Sequence, residues 1–73
     1  MAKLRILSGK DVCAILVRYG FVEVHRRGRN IVMQKKYAHG TITVPVPDHG
    51  ELRFGTLQSI IRQSGISRKE FEI

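Results

Sequence analysis

The stretch from Arg26 to Asn30 places three arginines around Gly28, between two segments that alternate like β-strands. Two lysines follow on the second segment, so this is the densest positive charge on the chain. Clustered guanidinium groups are typical of surfaces that contact a nucleic-acid backbone. The alternative is a solvated hairpin whose charges protect a sheet edge. The residues that we predict to bind RNA are Arg26, Arg27, Arg29, Lys35 and Lys36.

Cleavage of RNA without a metal needs one group that removes a proton from a 2′-hydroxyl and another that protonates the leaving oxygen. Histidine suits both roles because its pKa lies near neutrality. Of the three histidines, only His25 is expected on the same exposed surface as Asn30, so it is the one candidate catalyst; an ordinary surface histidine is the alternative. His39 and His49 fall in predicted turns, where a solvated role is expected.

Metal-dependent cleavage would need clustered carboxylates, and the six acidic residues are scattered along the chain. Cys13 is the only cysteine, and no Cys/His set has the spacing of a zinc site. We therefore predict no metal, no cofactor and no disulfide. Cys13 is interpreted as a small core residue, because nothing around it in the sequence indicates a reactive thiol.

The elements that must position these residues can be read from capping and periodicity. Ser8 and Asp11 approximate a capping box, and apolar residues at helical spacing predict a helix from about Gly9 to Tyr19. A period of two then predicts the two hairpin strands and a third strand, 41–46, which should lie at a sheet edge or end at Pro45, because proline donates no ladder hydrogen bond. A second helix is predicted from Gly55 or Thr56 to Gly65, followed by one helical turn that carries a phenylalanine onto the core.

The loop Gly28-Arg29 fits a two-residue type II′ turn, and this turn sets the register of the hairpin. Arg27 then lies opposite Asn30, and Val24 lies opposite Met33. The predicted face against the helices contains Val22, Val24, Ile31, Met33, Ile42 and Val44. The predicted open face contains Glu23, His25, Arg27, Asn30 and Gln34. The expected fold class is α+β, with the order α-β-β-β-α of double-stranded-RNA-binding-like folds and the helices on one face of a three-stranded antiparallel sheet.

Length and charge limit the function further. With 73 residues, the chain is predicted to be a single domain, 1–73, without room for a deep cofactor cleft. Its net charge of +7 favours a polyanionic partner. No apolar run approaches the roughly 18 residues of a membrane-spanning helix, so a membrane partner is not expected. A lone thiol and the lack of an export signal favour the cytoplasm.

Several motifs are distributed over nearly the whole chain. They are Ser8-Gly9-Lys10, Gly20-Phe21, Val44-Pro45, the segment 52–57 (Leu-Arg-Phe-Gly-Thr-Leu), the segment 60–65 (Ile-Ile-Arg-Gln-Ser-Gly) and Phe71. Together these motifs resemble the HicA toxins of HicA–HicB toxin–antitoxin systems. The resemblance implies a double-stranded-RNA-binding-like fold, cleavage of mRNA without a metal, and neutralisation by a HicB-like antitoxin in a hetero-oligomer.

The chain departs from the family pattern at the implied catalytic site. The family usually has a glycine, a small residue and then a catalytic histidine, whereas this chain has Gly28, Arg29 and Asn30. Asn30 can form hydrogen bonds but is neither an acid nor a base near neutral pH. The sequence leaves open a toxin with reduced or rerouted catalysis, natural or deliberately inactivated. It also leaves open a non-enzymatic module that acts by occupying RNA, and a basic accessory protein that binds an acidic protein.

Overall fold

The computed structural model describes residues 3–72, and these residues fold in the order α-β-β-β-α. The helices and strands are α1 (Gly9–Arg18), β1 (Val22–Arg27), β2 (Asn30–Tyr37), β3 (Gly40–Pro47), α2 (Phe54–Ser64) and a short 3₁₀ helix (Arg68–Phe71). The strands form one antiparallel sheet in the order β1-β2-β3, so β1 and β3 are its edges. Helix α1 packs across all three strands, and α2 packs against β3. The predicted α+β class and element order are confirmed.

Local capping explains where the helices begin and end. The Ser8 hydroxyl accepts from the Asp11 amide at 3.0 Å, and the Asp11 carboxylate accepts from the Ser8 amide at 3.0 Å. This is the predicted capping box, and it satisfies two amides that would otherwise lack a helical partner. At the end of α2, Gly65 adopts a left-handed conformation with φ of 73°, as a glycine C-cap requires.

One core joins the helices to the sheet. Phe71, on the 3₁₀ helix, is completely buried, and Phe21, just before β1, is almost as buried. Cys13 packs half-buried at the margin of this core, and burial raises the pKa of its thiol to about 11. The thiol is therefore protonated at neutral pH, in agreement with a packing role. The core consists of Leu7, Val12, Ile15, Leu16, Phe21, Ile31, Met33, Val44, Val46, Leu52, Leu57, Ile60 and Phe71.

Strand β1 does not follow the predicted register over its whole length. Met33 lies opposite Glu23, not Val24, because the register shifts between Glu23 and His25. Such a bulge inserts one extra residue into an edge strand and reverses the faces of the residues that precede it. Val22 and Val24, predicted to be in the core, are accordingly 59% and 43% exposed. That prediction was wrong.

The bulge also moves Glu23 from the predicted open face to the face that carries the helices, since it now shares the side of Met33. The remaining predicted open-face pairs agree with the structure: Arg27 lies opposite Asn30, and His25 opposite Val32. The register between β2 and β3 is regular and puts Asn30 opposite Pro47 and Val32 opposite Pro45. The open face of the sheet therefore has two prolines beside Asn30.

Candidate nucleic-acid interface

The turn at the tip of the β1–β2 hairpin positions the arginines around Asn30. Gly28 has φ of 61°, and Arg29 has a negative φ, as does every other non-glycine residue among residues 3–72. A two-residue loop with positive φ only at its first position is the predicted type II′ turn. Because Arg27 and Asn30 are paired across the hairpin, their side chains leave the same face, with Cβ atoms about 4.5–5.5 Å apart.

Asn30 lines a groove of about 370 Å³ between the sheet and helix α2. Its side chain is half-buried, in contrast to the exposed residues of the turn before it. Pro45 and Pro47 contribute the sheet wall of the groove. The helix wall is formed by Gly55, Thr56, Ser59, Ile60 and Gln63. The groove is thus lined by apolar and uncharged polar groups, while the charge lies outside it on the hairpin.

The candidate catalytic residues differ in their relation to this groove. Asn30 lines it, and its amide can donate and accept hydrogen bonds but cannot transfer a proton at neutral pH. His25 is exposed on the same face of the sheet, paired with Val32, and is not part of the groove lining. His25 is the only titratable side chain that the sequence offered as a catalyst. It lies outside the groove, two residues along β1 from Arg27, the partner of Asn30.

Arg26 has a different environment from the two other hairpin arginines. Its guanidinium donates to the Asp48 carboxylate at 2.8 Å and lies 3.9 Å from the Glu23 carboxylate. The hydrogen bond from Arg26 is the main cause that lowers the pKa of Asp48, and Lys10 and His49 act in the same direction. The charge of Arg26 is thus largely engaged within the protein.

Arg27 and Arg29 remain available to an external anion. Both side chains are exposed, and within residues 3–72 neither forms an ion pair. Arg27 is the nearer of the two to the groove, because it shares the face of Asn30. Arg27 and Arg29 are therefore the two hairpin arginines that no acidic side chain engages within the described residues.

The two predicted lysines lie on opposite faces of β2. Lys36 is exposed on the open face and lines a separate hollow of about 480 Å³ with Val22, Val24 and Gln34. Lys35 is half-buried on the other face, opposite Ile42, with its aliphatic stem against Gly20. The five predicted cations consequently do not form one patch. Arg27, Arg29 and Lys36 are presented on the open side and at the tip, whereas Arg26 and Lys35 lie toward the helices.

A segment that the sequence indicated only as a loop connects the hairpin tip to the rest of the fold. The Asp48 amide donates to the Arg29 carbonyl oxygen at 2.8 Å, and the Gly9 amide donates to the His49 carbonyl oxygen at 2.9 Å. Gly9 also lies so close to the Pro47 carbonyl that a Cβ there would collide with it. The segment 47–49, which contains the last residue of β3 and the start of the following loop, is therefore held between the start of α1 and the turn that carries Arg29.

Sequence reasoning missed Asp48 as a positioning residue and missed the groove residues of α2. Asp48 is 22 residues from Arg26, so no local pattern connects the two. A signal for α2 was present: Thr56, Ser59 and Gln63 recur at helical spacing and form a polar stripe. The stripe can be assigned to a site only because the structure places it in the same groove as Asn30.

Among residues 3–72, no three His, Cys, Asp or Glu side chains come together in a way that could hold a metal ion. None of the helices in this part of the chain is both long enough and apolar enough to cross a membrane.

Comparison with known proteins relates this site to a family. Residues 9–66 match the family model described as the HicA toxin of bacterial toxin–antitoxin. The match begins at the first residue of α1 and ends just after α2, so it includes the hairpin, Asn30 and both walls of the groove. No curated protein is similar enough to the chain to count as a match. Because the family model covers most of the 73 residues, this chain belongs to the HicA toxin family of toxin–antitoxin systems.

Proposed function

We propose that this toxin-family protein binds mRNA at the hairpin tip, with Arg27 and Arg29 on phosphate groups and Asn30 beside the phosphate that other family members would cleave. The observation that carries the proposal is the position of Asn30. It is half-buried in the lining of the groove, directly across the hairpin from Arg27, which is exposed and forms no ion pair within residues 3–72. Lys36 adds charge on the same face, and residues 1–73 act as one domain.

The chemistry at this position decides between an enzyme and a protein that acts by occupancy. In metal-independent cleavage, a base removes the proton of the 2′-hydroxyl as this oxygen attacks the adjacent phosphate. The bond to the 5′-oxygen breaks, and an acid protonates the departing 5′-oxygen. A histidine at position 30 would supply a group that titrates near neutral pH. Asn30 would only orient the phosphate or the hydroxyl, so the protein binds mRNA and cleaves it slowly or not at all.

The decisive experiment compares the protein with its Asn30→His variant on a labelled mRNA fragment in the presence of EDTA. Positioned general acid–base groups contribute about 100- to 10,000-fold, so the variant is expected to cleave faster by a factor in that range. An Asn30→Ala variant controls for the loss of the asparagine, and thermal melting verifies that each variant folds. Equal rates for the His and Asn proteins would contradict the assignment of position 30.

One alternative route to cleavage needs its own control. If the unmodified protein already cleaves RNA rapidly, His25 is the only histidine on the open face beside Asn30 that could account for it. Adding His25→Ala to the unmodified chain then abolishes the activity if His25 carries the reaction. If the activity persists, neither histidine chemistry nor position 30 explains it, and the proposed site is wrong.

We propose further that a HicB-like antitoxin neutralises the protein in a hetero-oligomer by covering the hairpin, and that both act in the cytoplasm, where mRNA is translated. A domain with a net charge of +7 associates rapidly with an acidic partner, and a partner seated on Arg27 and Arg29 blocks RNA without any change in chemistry. The polyanionic mRNA and an acidic face of the antitoxin would thus compete for the same arginines.

A further inference from the structure

The groove that Asn30 lines has two chemically different walls. Pro45 and Pro47 present apolar rings from the open face of β3. The opposite wall presents the polar stripe of α2, with the nearly buried Ile60 below it. The Gln63 amide nitrogen donates to the Ser59 hydroxyl at 2.9 Å, and this is its one side-chain hydrogen bond within residues 3–72. The Gln63 carbonyl oxygen is therefore still able to accept a hydrogen bond.

We infer that this groove binds one unpaired nucleoside of the RNA, adjacent to the phosphate at Asn30, and that Gln63 reads its base. The inference rests on the proposed function, because it takes RNA as the ligand of the hairpin. A nucleobase has flat faces that pack against apolar surfaces and a polar edge that amide side chains recognise. The groove volume of about 370 Å³ lies within the range of small-ligand sites.

The distribution of charge around the groove supports a nucleoside and not a second phosphate. None of the eight lining residues carries a charge, whereas Arg27, which pairs with Asn30 across the hairpin, and Arg29, which precedes Asn30, are exposed and are not part of the lining. Nucleic-acid interfaces commonly divide the work in this way, with cations on the backbone and uncharged polar groups on the bases. A nucleotide bound at Asn30 by its phosphate would direct its neighbouring base toward the prolines and α2.

This arrangement requires a single-stranded substrate. In an A-form duplex the bases are stacked and their pairing edges are occupied, so no base can enter a groove beside the backbone. The hairpin arginines alone would bind both forms, because they contact phosphate groups. Binding of a base in the groove therefore adds affinity only for unpaired RNA, and it distinguishes this mode from the shape recognition of duplex RNA that the fold class suggests.

The experiment measures fluorescence anisotropy of short labelled RNAs with the full chain: four single-stranded homopolymers and a duplex of the same length. Gln63→Ala is compared with Gln58→Ala, which removes the same amide from the same helix on a different surface, beside Arg62 and Arg68. Loss of one hydrogen bond weakens binding about two- to tenfold. We expect this loss for Gln63→Ala, with a changed order of preference among the homopolymers, and no change for Gln58→Ala.

A second variant tests the groove without removing a hydrogen bond. A Cβ at Gly55 would meet nothing within 4 Å, and the residue lies in the first turn of α2 with an ordinary helical conformation. Gly55→Leu therefore adds an apolar side chain to the helix wall of the groove, and a melting curve tests whether the variant keeps its fold. We expect this variant to weaken the binding of single-stranded RNA at least as much as Gln63→Ala does, and to leave the binding of duplex RNA unchanged.

The outcomes separate this inference from the proposed function. If Arg27→Ala weakens RNA binding but Gln63→Ala and Gly55→Leu do not, the nucleoside site is wrong and the hairpin function stands. If the duplex binds as tightly as the single strands, the inference is also wrong. If the groove variants weaken only the binding of an antitoxin, the groove is a protein-binding site and the nucleoside site is wrong. If the unmodified chain binds no RNA, both proposals fail.

Discussion

Replacing Gly9 with alanine is expected to destabilise the protein strongly, because the loop 47–49 packs directly on this residue. The new Cβ would collide with the Pro47 carbonyl oxygen and approach the Asp48 Cα to 3.0 Å. Both are backbone atoms, so neither can move aside as a flexible side chain would. Overpacking costs about 1–3 kcal/mol of unfolding free energy, and a backbone collision belongs in the upper half of that range, about 2–3 kcal/mol.

This loss is large for so small a domain. A single core of this size supplies only about 3–5 kcal/mol, so a loss of about 2–3 kcal/mol in Gly9→Ala is about 40% or more of the unfolding free energy. For a domain of this length 1 kcal/mol corresponds to about 4–8 °C, which gives an expected decrease in melting temperature of about 8–24 °C. Thermal melting by circular dichroism, with urea unfolding to obtain the free energy, measures both quantities.

Gly55→Ala is the matched control, because it makes the same change in the first turn of the other helix. No atom lies within 4 Å of the added Cβ, and its conformation suits alanine. The control is expected to stabilise the protein by about 0.4–1 kcal/mol through the reduced entropy of the unfolded chain. If Gly9→Ala melts within about 2 °C of the unmodified protein, the close packing of α1 on the loop is refuted.

Three further predictions test the interface. Arg27→Ala should lower RNA affinity and flatten the dependence of log affinity on log salt concentration by up to about one unit. Arg26→Ala should flatten this dependence less, because Asp48 already engages the Arg26 guanidinium. Equal slopes for the two variants would contradict this distinction. The pKa of Asp48 lies below its ordinary value of 3.8, chiefly because of the hydrogen bond from Arg26. The ionised carboxylate therefore stabilises the fold above about pH 4, and this contribution is lost as the pH falls through the folded-state pKa. Asp48→Asn should therefore lower the melting temperature at pH 7, with a difference that narrows below pH 3.8; a difference independent of pH would show that the charge is not involved. With a HicB-like antitoxin bound, the amides of residues 26–30 should exchange hydrogen more slowly, and unchanged exchange would mean that inhibition acts elsewhere.

Features of the fold that depend on neighbours in sequence were predictable. The capping box of Ser8 and Asp11 involves residues three apart, and the positive φ of Gly28 and Gly65 follows from the lack of a Cβ at a turn and at a helix end. Alternation of apolar residues predicted β2 and β3, since both have a buried face of Ile31, Met33, Val44 and Val46. The α+β order of elements followed from these local signals.

The course of β1 was not predictable from the same alternation. Val22 and Val24 have the spacing of a buried strand face, yet the bulge before His25 leaves both exposed. A bulge is favoured by twist and packing at the sheet edge, and not by a pattern of residues within the strand. The core instead contains Phe21, which lies between α1 and β1, and Phe71, which lies on the 3₁₀ helix after α2.

By itself the sequence determined the charge of this protein, the turn that presents it, and an asparagine at the position next to that turn. All three follow from residue types and from dihedral preferences that act within a few residues. Only the tertiary structure decided which arginines form ion pairs: Arg26 is engaged by Asp48, 22 residues away, while Arg27 forms no ion pair within residues 3–72. It also decided that α2 lies beside β3, so that Asn30 and Gln63 border one groove. Such contacts depend on how separate elements pack, and the free energy of that packing belongs to the whole core and not to any local segment.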